Sequence, residues 1–342
     1  MEVAAAQPVL AIDLGGTQIR AAHISPDLTV SCRRSIPTNA HEGVDAVVER
    51  VCDLAVAVRD DAARAKLPAP RGAGISSPGP LDPWRGIVMA TPNLEGWHDV
   101  PLARRVEEAI RLPSFLERDT QVAVITEWRF GAGRGARTVI YVTVSTGIGG
   151  GIVLDGRQLI GPDGTAGEVG HLTVELDGPL CGDGQPGHAE AIGSGTAIAR
   201  EGRALLERGA SAELATLAAQ SGADVDAALV ATAADAGDPA CRAILARAWT
   251  AVGAMAAGLV NLLNPDVIVF GGGISKHRPD MLVAVREEIE RRAFERPARR
   301  VRVEPAQHSD DVSLLGWVPL WNERIDDPAF GRHVSQYLEE PE

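Results

Sequence analysis

The stretch AIDLGGTQIRAAHIS, residues 11–25, carries an apolar strand into an acid, turns on two glycines and a threonine, and returns as a second strand. Val9, Leu10, Ala11 and Ile12 make the short apolar run of a fully buried strand. Gly15-Gly16 supplies a turn, after which Ile19, Ala21 and His23 alternate with Arg20, Ala22 and Ile24. Backbone N–H groups at a turn lacking Cβ atoms can close around a phosphate. Thr17 can add a hydroxyl, and Asp13 can face a hydrated Mg²⁺. The same residues also suit an ordinary hairpin with an acid at its turn, and this stretch alone does not choose between the two.

The pattern comes back. TVIYVTVSTGIGGGIVLDGR, residues 138–157, again runs strand, hydroxyl-and-glycine turn, strand, with Thr146, Gly147 and Gly149 at the turn. Two such hairpins about 130 residues apart suggest duplicated α/β halves. A third run, NPDVIVFGGGIS at 264–275, puts Gly271, Gly272 and Gly273 directly after the apolar Val267–Phe270, behind a helix-like segment from 243 to 263. No GxxxxGK[ST] and no strand–GxGxxG–helix unit occurs, which sets aside the phosphate-loop and dinucleotide folds.

Length and charge narrow the classes further. A chain of 342 residues suggests two domains or one large one. A net charge of −13 argues against nucleic acid as a partner, because phosphate backbones call for clustered Lys and Arg. Four scattered cysteines (Cys32, Cys52, Cys181, Cys241) suggest no disulfide framework and a reducing compartment. The start MEVAAAQP lacks the features of a signal peptide, and no apolar run is expected to cross a membrane, so a cytoplasmic protein is expected.

With these turns in place, the chain resembles the ROK-family sugar kinases of the actin-like and hexokinase-like ATPase superfamily. The matching pieces are Asp13 to Thr17, Pro78-Gly79-Pro80, Pro92-Asn93-Leu94, Glu117 to Asp119, Ser145 to Gly151, Gly167 to His171, Cys181 to Glu190 and Asn264 to Gly273. They stand in family order over roughly residues 8–320. The resemblance implies a two-domain α/β fold of the actin-like ATPase (ribonuclease-H-like) type with an interdomain cleft. A small domain, 1–118, would be rejoined by 312–342, and a large domain would span 119–311. It implies phosphoryl transfer from ATP with Mg²⁺ to the 6-hydroxyl of a hexose, glucose first. Mannose, fructose or an N-acyl hexosamine are the rival acceptors, and polyphosphate is a rival donor. Assembly as a homodimer or homotetramer is read with it. Part of the family is sugar-responsive repressors carrying a helix-turn-helix ahead of the first glycine hairpin; about eight residues stand there, which favours the enzyme.

Phosphoryl transfer needs a base for the proton, a metal for the phosphate charge, and fixed geometry. By the resemblance Asp119 is the base; by local chemistry alone it also reads as a helix N-cap. Gly79, Asn93, Glu168, His171 and Glu190 match sugar-binding positions. Gly15, Gly16 and Thr17, with Thr146, Gly147 and Gly149, match the phosphate hairpins, Gly271–Gly273 the adenosine side, and Asp13 the residue orienting water on Mg²⁺. Two departures stand out. Arg118, a candidate to meet the sugar, replaces an asparagine that contacts a sugar hydroxyl; a guanidinium has no acceptor, so the readings are that it donates to the sugar, points at phosphate or turns away. The zinc loop C-x-C-G-x-x-G-C-x-E reads here as Cys181 to Glu190, with Asp183 and His188 in place of two cysteines. Both replacements can bind Zn²⁺. His171, Cys181, Asp183 and His188 are the expected ligands.

Overall fold

The computed structural model describes residues 7–89, 91, 94, 96–308 and 310–330. Asn93 lies outside them. The chain divides into two compact units. The first takes the described residues of Met1–Arg129, Gln158–Ala166 and Asp310–Glu342, and the second takes those of Phe130–Arg157 and Gly167–Ser309.

The first unit opens with β1 (Val9–Leu14), β2 (Gln18–Ile24) and β3 (Val30–Pro37), followed by α1 (Val44–Arg64) and β4 (Ala73–Ser77). The small pair β5 (Leu81–Asp82) and β6 (Ile87–Val88) precedes α2 (Leu102–Ile110), β7 (Ser114–Arg118) and α3 (Asp119–Phe130). The main sheet runs β3-β2-β1-β4-β7, antiparallel through the first three strands and parallel from β1 to β4 to β7. Val47, Val48, Val51, Leu54, Ala55, Val58 and Ala62 recur every three or four residues along α1, so one stripe of that helix is buried in the sheet's core. Each fully buried Val or Leu side chain there contributes about 1.5–3 kcal/mol.

The second unit repeats the scheme. It holds β8 (Val139–Val144), β9 (Ile148–Leu154), β10 (Arg157–Gln158), α4 (Ala189–Gly193), α5 (Gly195–Glu207), α6 (Ala212–Ser221), α7 (Ala227–Asp235) and α8 (Pro239–Leu263). It continues with β11 (Val267–Gly271), α9 (Gly273–His277), α10 (Pro279–Arg292), α11 (Glu295–Arg300) and β12 (Arg302–Pro305). Its sheet runs β10-β9-β8-β11-β12. In both sheets the first strand sits centrally, with its hairpin partner on one side and a parallel strand on the other. That shared order is what the echo of glycine turns predicts.

α8 starts on Asp238, whose side chain accepts from Cys241 N, has Pro239 at its first position, and ends on Asn264 in the left-handed region. It is the one helix among the described residues long and apolar enough to cross a membrane, against the expectation that no run would be. Most of that apolar stretch is buried within its own unit, where α10, α4 and α7 pack on it.

The division falls elsewhere than the expected 118/119 boundary. α3 stays with the first unit, and so does the excursion Gln158–Ala166; the chain returns from residue 310 with α12 (Val312–Leu315) and α13 (Trp317–Arg324). The reason is packing. Thr126 Oγ1 donates to Val312 O at 2.6 Å, Arg129 pairs with Glu323, and Gln121 donates to Leu159 O at 2.8 Å.

One buried acid in this unit has a measurable consequence. Glu107 on α2 is 1% exposed; its Oε2 accepts from Ser114 N at 3.1 Å, and its Oε1 has no hydrogen-bond partner among the described residues. Burial pushes its pKa up to about 7. The raised value means that the folded state holds the proton while the unfolded chain has lost it, so stability falls as pH rises from about 4.5 through 7. Glu107→Gln keeps an acceptor for Ser114 N and removes the buried charge. It is expected to raise the unfolding free energy by about 1–3 kcal/mol at pH 8 and by little at pH 4.5, measured by urea unfolding. Equal effects at both pH values would contradict this account.

Candidate functional site

In the first unit the β1–β2 turn is closed by Gly15 N donating to Gln18 O at 2.9 Å, and Gly16 and Thr17 stand exposed at its tip. Asp13, at the end of β1 and 5% exposed, faces Arg20 across the hairpin register. Arg20 Nε donates to Asp13 Oδ2 at 3.0 Å, Nη2 reaches the same oxygen, and Nη1 holds Asp310 O at 2.6 Å. Arg20 is therefore a charged partner that the sequence reading did not assign; its place directly opposite Asp13 in the hairpin was the available signal.

Asp119 is the first residue of α3, half-buried where β7 gives way to the helix, and its Oδ1 accepts from Thr120 N at 2.7 Å. Carboxylates are favoured at a helix N-terminus, where backbone N–H groups and the helix dipole stabilise negative charge. The neighbouring acid is differently placed. Glu117 is 0% exposed, ion-paired with Arg324, and accepts from Arg118 N at 2.8 Å.

Gly79 and Arg118, both expected to meet a sugar, meet each other. A Cβ on Gly79 would stand 2.9 Å from Arg118 Cδ, so the missing side chain makes room for the arginine stem. The guanidinium of Arg118 donates to Ala166 O. Arg118 is 2% exposed.

In the second unit the β8–β9 turn is closed by Ser145 N donating to Gly147 O at 2.9 Å. The first residues of α5 strap it: Gly195 N reaches Ser145 O at 2.8 Å, and Thr196 donates to Thr146 O through its backbone at 3.1 Å and its hydroxyl at 2.9 Å. Glu190 lies beneath the turn. Its Oε2 accepts from Ile148 N at 2.7 Å, and a Cβ on Gly147 would come within 2.5 Å of that oxygen. Its Oε1 stands 3.7 Å from Cys181 Sγ. Glu190, expected to take sugar hydroxyls, thus supports the β8–β9 turn, which the sequence alone did not reveal.

A cavity of about 670 Å³ opens beside this turn. Ser145, Thr146 and Thr196 bring hydroxyls to it beside Gly195 and Gly273, and Ile198, Val225, Leu245, Trp249 and Ile274 give it an apolar wall. Arg203, Asp226, Asp235, His277 and Arg278 also line it. Sequence reasoning missed the helical contributors, because a residue lining a pocket and one in a core share the same helical periodicity. Of the third glycine run, only Gly273 borders the cavity. Gly271 and Gly272 are held by packing instead: a Cβ would strike Tyr141 Oη at 2.1 Å or Val144 O at 2.5 Å.

Glu168, half-buried, ends the segment before the short turn Val169–His171. His171 Nδ1 lies 3.1 Å from Asp183 Oδ2 and 3.3 Å from His188 Nδ1. With Cys181 these residues bring four ligand atoms within 4.8 Å of one another. The loop is shaped by bridges pairing Thr173 with His188 and Leu180 with Pro186. The Gln185 amide, with His188 and His171 alongside, holds the Asp183 carboxyl below the usual range, while burial pushes the Cys181 thiol up. Two imidazoles, a thiol and a carboxylate so gathered fit one tetrahedral Zn²⁺, whose ligand atoms stand roughly 3.3–3.8 Å apart.

Comparisons with known proteins identify the family. The ROK family model matches residues 9–324. The glucokinase of Thermotoga maritima is 33% identical over 93% of this chain and 98% of its own length. The N-acetylmannosamine kinase of Salmonella newport is 30% identical over 90% and 96%. Among solved structures, a ROK family glucokinase from Streptomyces griseus in complex with glucose and AMPPNP superposes with a TM-score of 0.77. It is 29% identical and covers 92% of this chain and 98% of that one. The family match spans residues of both units, and the chain belongs to the ROK family.

Proposed function

We propose that this chain is an ATP-dependent hexose kinase acting on the 6-hydroxyl of glucose. The observation that carries the reading is the cavity beside the β8–β9 turn. Its apolar wall of Ile198, Val225, Leu245 and Trp249 suits a nucleoside, and its hydroxyl-and-glycine end suits the attached phosphates. A polyphosphate donor would need no such wall. The glucokinase relatives support glucose as acceptor, and the N-acetylmannosamine kinase relatives make an N-acyl hexosamine the alternative.

In this reading Asp119 accepts the proton of the 6-hydroxyl as that oxygen attacks the γ-phosphorus. The bond from the γ-phosphorus to the β–γ bridging oxygen breaks, and ADP leaves with that electron pair. Backbone N–H groups at Gly15, Gly16 and Thr17 and at Thr146, Gly147 and Gly149 hold phosphate oxygens. Asp13 keeps Oδ2 on Arg20 and offers Oδ1 to water on Mg²⁺. The Mg²⁺, when bound, offsets the phosphate charge. Gly79, Asn93, Glu168, His171 and Glu190 orient the sugar. His171, Cys181, Asp183 and His188 hold a structural Zn²⁺ that fixes the loop leading into Glu190.

A coupled assay of ADP release across a sugar panel tests this, with ATP and polyphosphate compared as donors. Strictly sugar- and Mg²⁺-dependent release from ATP, fastest with glucose, is expected. Fastest release with N-acetylmannosamine would move the protein to the alternative acceptor, and no turnover with any sugar would overturn the kinase reading.

A further inference from the structure

The excursion Gln158–Ala166 belongs to the first unit although the chain before and after it belongs to the second, and both of its ends are gripped by residues flanking Asp119. At the far end, Ala166 O accepts from the Arg118 guanidinium and, at 3.0 Å, from Gln121 Nε2. The same Gln121 nitrogen donates to Leu159 O at 2.8 Å, which uses both of its N–H groups. At the near end, Gln158 Nε2 donates to Glu117 Oε2 at 3.1 Å and lies 3.4 Å from Gln121 Oε1. Glu117 is in turn locked by Arg324, which also donates to Leu116 O at 3.0 Å.

Residues 117, 118 and 121 are therefore all committed to this clasp, and Asp119 stands in the middle of them. Gln121 is 0% exposed, and a buried carboxamide costs free energy unless its groups are paired. A hydrophobic residue at that position of α3 would fill the space without this requirement. What the amides add is direction: each fixes a carbonyl relative to the first turn of α3.

A general base must reach the proton it takes within about 2.6–3.2 Å, and a displacement of about 1 Å can cost on the order of 10²-fold in rate. We propose that Gln121 and Gln158 are positioning residues for Asp119: by clasping the two ends of the 158–166 excursion to the β7–α3 junction, they fix the backbone from which the carboxylate projects. Arg118 joins the clasp through Ala166 O. The proposal rests on the kinase reading and on Asp119 as its base.

The test uses the full chain with Gln121→Met and Gln158→Met, which remove the amides at nearly constant volume, beside Asp119→Asn. Gln121→Met is expected to lower kcat about 10–100-fold, and Gln158→Met several-fold, with glucose Kd by calorimetry within about twofold of the parent. Limited proteolysis within 158–166 should accelerate in the same order. Wild-type kcat in both variants, while Asp119→Asn loses turnover, would make the clasp structural only and leave the kinase reading intact. A loss confined to glucose Kd would equally overturn the proposal. Retained turnover in Asp119→Asn would remove the base itself and the proposal with it. If Gln121→Met fails to fold, the half-buried Gln158 decides the outcome.

Discussion

Asp119→Asn is expected to cut kcat by about 10²–10⁴-fold while leaving glucose binding nearly unchanged. The amide keeps the shape of the carboxylate and its bond from Thr120 N, but it cannot take the hydroxyl proton. The neighbouring acids are poor substitutes. Glu117 is fully buried with both oxygens engaged, one by Arg118 N and the other by Arg324 and Gln158. Asp13 has Oδ2 held by two nitrogens of Arg20. Asp119 alone of these three is half-buried, at a strand-to-helix junction. The measurement is kcat from coupled ADP release together with glucose Kd from calorimetry. A mutant that keeps most of its kcat would reduce Asp119 to a residue of the helix terminus.

The elements that position these groups were legible because each has a local cause. The run Val9–Ile12, the Gly15-Gly16 turn and the alternation after it specify a buried hairpin, and that hairpin is β1–β2. The Ala- and Leu-rich segment before Asn264 specifies a long helix, and α8 begins four residues earlier than its periodicity suggested because Asp238 and Pro239 provide the start. Along α5, Ile198, Ala199 and Leu205 are buried, whereas Leu206 is only half-buried. What stayed hidden depends on long-range pairing. Nothing near Glu190 in sequence announces that Ile148 N, 42 residues away, will donate to it. Nothing near Arg118 announces that Ala166 O, 48 residues away, will accept from its guanidinium. The expected 118/119 boundary failed for the same reason. α3 follows the β7 strand end in sequence, but its packing partners come from α12, α13 and the 158–166 excursion.

Removing zinc is the second large expected effect. Protein prepared without chelator should carry close to one Zn²⁺ per chain, held by His171, Cys181, Asp183 and His188. A carboxylate and an imidazole in place of two thiolates keep four ligands but make the set harder, and so weaker for zinc. Burial keeps the Cys181 thiol protonated at neutral pH, so binding must expel that proton, and affinity should fall as pH drops. With free zinc at about 100–1,000 times Kd, the bound ion stabilises by about 2.7–4.1 kcal/mol, which is roughly 5–16 °C in Tm for a unit of this size. The consequences should extend past the loop. Cys181 Sγ stands 3.7 Å from Glu190 Oε1, and the other Glu190 oxygen accepts from Ile148 N at the β8–β9 turn, the proposed phosphate hairpin. Chelation is therefore expected to weaken glucose and ATP binding together, and His188→Ala should reproduce both losses. Elemental analysis finding no zinc, with His188→Ala unchanged in Tm and in both affinities, would show that Asp183 and His188 are only polar residues of a turn that Gly184 and Gly187 already shape.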